Sequence, residues 1–176
     1  MLHWKYGRSR ESLPASKRNK EPWLNFHSNN FIIPESAFRN HLFDENIKGY
    51  GYEDLLYAHR LSEAGISIRH IDNPTRHDGL ETTTDFLNKT KTSIQNLALL
   101  YKEDKIPATR LIRAYEKLKR WNLQDRFAGL IEKYEDKVTR NLMSENPSVA
   151  LFNLWKLRMF IVEIKNTNAN SKKSKK

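Results

Sequence analysis

The chain has no cysteine, which excludes a disulfide framework and all thiol chemistry and is compatible with a reducing cytoplasm. No stretch approaches the ~18 consecutive apolar residues of a membrane span. The opening MLHWKYGRSR has no apolar run after its charges, so a secretory leader is not expected. Together these absences predict a cytoplasmic chain, either free in solution or peripheral to a membrane. There is no glycine-rich dinucleotide fingerprint, and no His-x-x-x-His pair of the kind that holds zinc on a helix. Helix-turn-helix, zinc-finger and RNP-type aromatic signatures are missing too. Their absence disfavours nucleic-acid binding despite a net charge of +10.

What is present fits one compact unit with appendages, because 176 residues fall within the usual size of a single domain. Its 38% hydrophobic content against 30% charged makes a lean core, gathered into recognisable segments. The first twenty residues and the last eleven are polar and basic, and both ends are expected to fray. The expected division is a basic segment at 1–25, a motif-bearing region at 26–81, a helical extension at 82–165 and a disordered lysine-rich tail at 166–176.

The motif-bearing region centres on Gly49-Tyr50-Gly51-Tyr52-Glu53-Asp54. Gly49 and Gly51 allow backbone conformations closed to other residues and let a ligand approach the main chain. Tyr50 and Tyr52 offer flat faces suited to a sugar ring. From Tyr52 the run YEDLLYAHRLSEAG places Tyr57, Ala58, Leu61 and Ala64 on one helical face and stops at Gly65. Glu53 and Asp54 then fall in the first helical turn. Acids are favoured there by the helix dipole alone, by about 0.3–1 kcal/mol. Asp54, however, shares the apolar side of the helix, and an inward carboxylate at a loop–helix junction is a candidate general base.

The order NNFIIPESAF, FDENIKGYGYED, AHRL, AGISI and RHDGLE resembles the C-terminal part of family 2 glycosyltransferases of the GT-A fold, including the galactosyltransferase-type C-terminal region. The resemblance covers about Phe26 to Glu81. It implies an α/β, Rossmann-like architecture continuing into the helical extension. It also implies transfer of a sugar from a nucleotide-sugar donor to a carbohydrate or lipid-linked hydroxyl acceptor. Carried over, Asp54 is the base, Glu53 holds the acceptor, and Tyr50, Gly51 and Tyr52 contribute to substrate binding. Asn29 and Asn30 stand where the family lines the donor-sugar pocket, with a turn or capping role as the alternative. His77 occupies the place of a metal or diphosphate contact, with an ordinary solvated loop histidine as the alternative. The family's divalent metal, manganese or magnesium, is held mainly by an Asp-x-Asp motif in the nucleotide-binding half. This chain has no Asp-x-Asp, so that half is expected from elsewhere, either a partner chain or further sequence.

Beyond Glu81 the pattern turns helical. TTTDFLNKTKTSIQNLALLYKEDK has threonine caps, ATRLIRAYEKLKRWN carries an apolar stripe, a third helix is expected from Leu123 to Met143, and Pro147 opens a fourth that stops before the tail. These helices read most simply as packing elements. The fourth, together with the lysine tail, also suggests peripheral contact with an anionic membrane through 147–176. A noncatalytic protein- or membrane-docking module is therefore the alternative function, with a basic nucleic-acid module behind it.

Overall fold

A computed structural model describes residues 1–45, 47, 50–76 and 78–173, and among these its only regular secondary structure is helical. Nine α-helices follow in order: α1 Leu2–Arg10, α2 Ala15–Arg18, α3 Glu35–Asn40, α4 Glu53–Glu63, α5 Thr83–Lys102, α6 Arg110–Arg120, α7 Gln124–Lys133, α8 Glu135–Leu142 and α9 Val149–Lys173. A 3-10 turn covers Trp23–Asn25.

The expectation of an α/β, Rossmann-like GT-A architecture is therefore overturned: the described residues contain no strand. The segment ISIRHI shows why. A strand needs a neighbour to complete its ladder, and none is at hand. Side chains from α2 and the residue after it bind the extended segment instead. His70 N–H donates to Asn19 Oδ1 at 2.7 Å, Asn19 Nδ2 donates to the His70 carbonyl at 2.9 Å, and Arg18 Nη2 donates to the Ile71 carbonyl at 2.8 Å. Asp72 Oδ1 then accepts from Ala15 N–H at 2.7 Å. The segment is extended because it is clamped, not because it is paired.

Helix α9 is the axis of the larger core. Its apolar run is nearly continuous, and α1, α5, α6, α7 and α8 all pack against it. Phe152, Trp155, Leu157, Phe160, Ile161 and Ile164 are buried, meeting Ile94 and Leu97 of α5, Ile112 and Tyr115 of α6, and Leu142 of α8. Phe160 lies edge-on to Tyr101 and Tyr115, with centroids 5.8 and 5.3 Å away. The apolar residues on which a membrane contact through 147–176 would draw are thus largely consumed inside the molecule. No described helix is long and apolar enough to cross a membrane.

Three other expectations change in detail. The helix expected over Leu123 to Met143 is broken at Tyr134, which closes α7 and opens α8. Helix α9 runs through the polar NTNAN stretch to Lys173. The basic first segment does not fray: Leu2 is fully buried in the larger core, and Tyr6 meets Phe86 and Phe152 through their rings.

A smaller core gathers Phe26, Tyr57, Ala58 and Leu61, with Trp23, Phe31, Ile33, Phe43, Ile66 and Ile68 around it. Helix α4 serves both cores, sending Leu56 into the larger and Tyr57, Ala58 and Leu61 into the smaller. It ends as expected, with Gly65 at φ +74°, a left-handed closure that glycine adopts without strain.

Phe160→Ala removes a fully buried ring at the meeting point of α5, α6 and α9. It is expected to lower the unfolding free energy by about 3–5 kcal/mol, measured by chemical denaturation. A loss below about 1 kcal/mol would show that α9 does not organise the core.

Candidate functional site

The start of α4 lies at the seam between the two cores. A cavity of about 580 Å³ opens there, walled by the Tyr50–Leu55 segment, by Tyr6 and Arg10 of α1, by Asn25–His27, by Ser93 of α5, by Thr109–Leu111 and by Lys156 of α9.

Its loop wall is held by backbone geometry. Gly51 has φ +104° and Tyr52 φ +73°, two successive residues in conformations that most side chains resist. Gly51 is also pressed against α5: a Cβ on it would lie 2.5 Å from both Cβ and Oγ of Ser93, a clash that only glycine avoids. Asn96, buried one turn further along α5, donates from Nδ2 to the Tyr50 carbonyl at 3.2 Å. Lys89, paired with Glu81, stands 5.3 Å over the Tyr50 ring. Helix α5 thus fixes the loop that presents the two carboxylates.

Asp54 has two differently treated oxygens. Oδ2 accepts from Ser28 N–H at 3.1 Å, which orients the carboxylate, while Oδ1 is buried and has no hydrogen-bond partner. Glu53 Oε2 is likewise buried and unpartnered. Buried polar atoms are rarely left unsatisfied, and those that are call for a physical explanation. Both residues line one cavity, but the two unpartnered oxygens are themselves closed to solvent, so a hydroxyl reaches them only when the cavity wall shifts.

The lining also carries cations, together with the acids Glu11 and Glu21. Arg10 and Arg110 line the cavity, and Lys156 donates from Nζ to Tyr6 Oη at 3.0 Å while lying 4.3 Å from the Tyr6 ring centroid. Glu21, also in the lining, is engaged by Arg113 at 3.1 Å. Thr109 Oγ1 caps α6 by accepting from Ile112 N–H at 3.1 Å.

The tyrosines are tuned by their surroundings. Burial raises the Tyr50 phenol above its ordinary range, assisted by the Glu11 carboxylate and opposed by Lys89. The Tyr52 phenol is driven far above the usual range by burial, with Tyr6 adding to the shift and a hydrogen bond to Ser93 opposing it. Both phenols remain protonated at neutral pH and act only as hydrogen-bonding and stacking groups.

The sequence-predicted residues divide. Tyr50, Gly51, Tyr52, Glu53 and Asp54 come together on the cavity wall. Asn29 and Asn30 are exposed and not part of that lining, and Asn30 Nδ2 donates to the Asn73 carbonyl at 3.1 Å. His77, the expected metal or diphosphate contact, and Gly49, the first of the loop glycines, lie outside the described residues. Among the described residues no group of three or more histidine, aspartate or glutamate side chains is placed to hold a metal ion. Tyr6, Arg10, Ser28, Ser93, Asn96 and Lys156 had no signal in the sequence, because each reaches the site through a contact between distant parts of the chain. No family model, no curated protein and no solved structure matches this chain.

Gly51→Ala is expected to lower stability by about 2–5 kcal/mol through backbone strain and the clash with Ser93. A loss under about 1 kcal/mol in denaturant titration would mean that the loop separates freely from α5. The Tyr52 shift fixes a pH dependence. Below about pH 10 the phenol is protonated in both folded and unfolded chains and has no effect. Above that, the unfolded chain releases the proton that the folded chain retains, so stability falls with rising pH by about 1.4 kcal/mol per unit for one such group. Tyr52→Phe should flatten alkaline unfolding by about one proton; an unchanged slope would place the phenol in solvent.

Proposed function

We propose that the cavity is the acceptor site of a sugar-transfer reaction, with Asp54 as the general base. The observation that carries this reading is the Asp54 carboxylate, oriented on Oδ2 by Ser28 N–H and unpartnered on Oδ1, at the wall of a cavity large enough for a saccharide unit; Oδ1 is closed to solvent, so the acceptor hydroxyl reaches it by displacing the wall. An oriented base with a free, desolvated oxygen suits proton abstraction from a hydroxyl.

In the reaction the acceptor oxygen attacks the anomeric carbon of the donor sugar from the face opposite the leaving group. The bond from that carbon to the diphosphate oxygen breaks, its electron pair leaves with the nucleotide diphosphate, and the acceptor proton passes to Asp54 Oδ1. The configuration at the anomeric carbon is inverted. Glu53 Oε2 accepts from a second acceptor hydroxyl and fixes the sugar's rotation. The exposed ring of Tyr50 offers an apolar face, and Gly51 lets the sugar approach the backbone.

The nucleotide-binding part is proposed to lie on a partner chain or on further sequence. A divalent metal belongs with that part, and because the described residues make no metal group, no step here passes through one. The resemblance of Phe26 to Glu81 to family 2 glycosyltransferases supports this chemistry in the motif region, apart from the architecture it implied.

The test is a transfer assay with panels of nucleotide sugars and hydroxyl acceptors, run on the chain alone and with extract of its native cells. Acceptor binding to the chain is followed in parallel by ligand-observed NMR. Asp54→Asn is expected to lower transfer by about 10²–10⁴-fold while acceptor binding and the thermal midpoint hold. Transfer unaffected by the substitution removes Asp54 from the mechanism, and absence of both transfer and saccharide binding overturns the reading.

A further inference from the structure

We infer that the outer face of α7, with the α6–α7 turn, docks on an anionic phospholipid surface. Four large apolar or aromatic side chains stand out of the fold here: Trp121 at 66% exposure, Leu123 at 40%, Leu130 at 54% and Tyr134 at 42%. They do not belong to either core. Leu123, Leu130 and Tyr134 are spaced i, i+7, i+11, so they share one side of α7, while Ala128 and Ile131 face the interior.

The charges around this stripe are sorted by sign. Arg126 and Lys133 flank Leu130 along α7, and the exposed Arg120 of α6 and Lys137 of α8 adjoin its two ends in sequence. Among the described residues no carboxylate pairs with any of these four. Lys133 and Lys137 instead hold their ammonium groups 6.0 and 5.4 Å from the Tyr134 ring centroid. Three acids of the same stretch, exposed themselves, pair with cations of α9. Asp125 pairs with Lys165 at 2.7 Å, and Glu132 and Glu135 pair with Arg158 at 3.4 and 3.0 Å. Among the described residues Asp136, next to Lys137, has no ion pair. On a helical projection Asp125 and Glu132 lie about 100° from Arg126 and Lys133. Gly129, on the outward side, has nothing within 4 Å of where a Cβ would sit, so the approach is open.

A face carrying tryptophan, tyrosine and leucine between unpaired lysines and arginines has the chemistry of an interfacial helix. The aromatic rings favour the headgroup level, the leucines enter the acyl boundary, and the basic groups meet lipid phosphate. This surface differs from the 147–176 segment, whose apolar residues are interior. It is independent of the proposed sugar-transfer chemistry.

The experiment is co-sedimentation of the full chain with vesicles of phosphatidylcholine alone and of phosphatidylcholine mixed with phosphatidylglycerol. Binding is expected only to the mixed vesicles, weakening with salt. R126Q/K133Q should reduce it about thirtyfold, from roughly fivefold per basic residue, and W121S/L130S should reduce it comparably at low salt. Thermal midpoints of both surface variants should match the parent. A third variant replaces Lys172, Lys173, Lys175 and Lys176 by serine. Loss of binding confined to that variant would assign attraction to the tail and overturn the proposal. Equal binding by all variants, or no vesicle binding with retained binding to an oligonucleotide, would overturn it as well.

Discussion

The packing of α9 into the centre of a helical bundle is the constraint from which the rest follows. A helix this apolar has to be surrounded, and α1, α5, α6, α7 and α8 do so. Each then has its own amphipathic direction fixed. Helix α5 lies along α9 with Ile94, Leu97, Ala98 and Leu100 inward, which leaves Ser93 and Asn96 to meet the Tyr50–Tyr52 loop. Helix α6 places Ile112 and Tyr115 inward, and its capped start then borders the cavity. One wall of the site is thereby assembled at the edge of this core.

The carboxylates themselves depend on a second, smaller assembly. Phe26 anchors the stretch whose next residues bring Ser28 N–H to Asp54. The same stretch contributes His27 to the cavity lining. Asp54 is therefore set between two bodies of apolar residues, α4 providing its Cα position and the Phe26–Ser28 stretch its orientation.

Much of the local structure was legible in the sequence. The entry of α4 after Tyr52, its stop at Gly65, a threonine cap on α5 and the inward side of Asp54 all followed from short-range rules, whereas the Thr109 cap of α6 was not anticipated. Gly51 was legible as a special backbone position, although the reason it must be glycine, Ser93 at 2.5 Å from a Cβ, was not. Tertiary arrangement was misread where one segment resembled a strand. ISIRHI has the β-branched content of one, but a strand is a property of pairs. Here Asn19 and Arg18 supply the partners that a neighbouring strand would have given. The first ten residues were misread for a related reason: Leu2 is buried in the larger core, and Tyr6 meets Phe86 and Phe152, which lie far along the chain.

Among the described residues the two cores differ greatly in size, four buried residues in one against eighteen in the other, and a difference of this kind implies two melting scales. Cooperative units with fewer buried contacts open at lower free energy than the body they attach to. Warming should then first loosen the Phe26–Ser28 stretch around Tyr57, withdrawing the Ser28 amide from Asp54 while the bundle around α9 stays helical. In hydrogen exchange the Ser28 amide would report opening well before those of α5 and α9. The chain would lose an oriented base over a temperature range in which its helical content hardly changes, so inactivation and unfolding would be separate events.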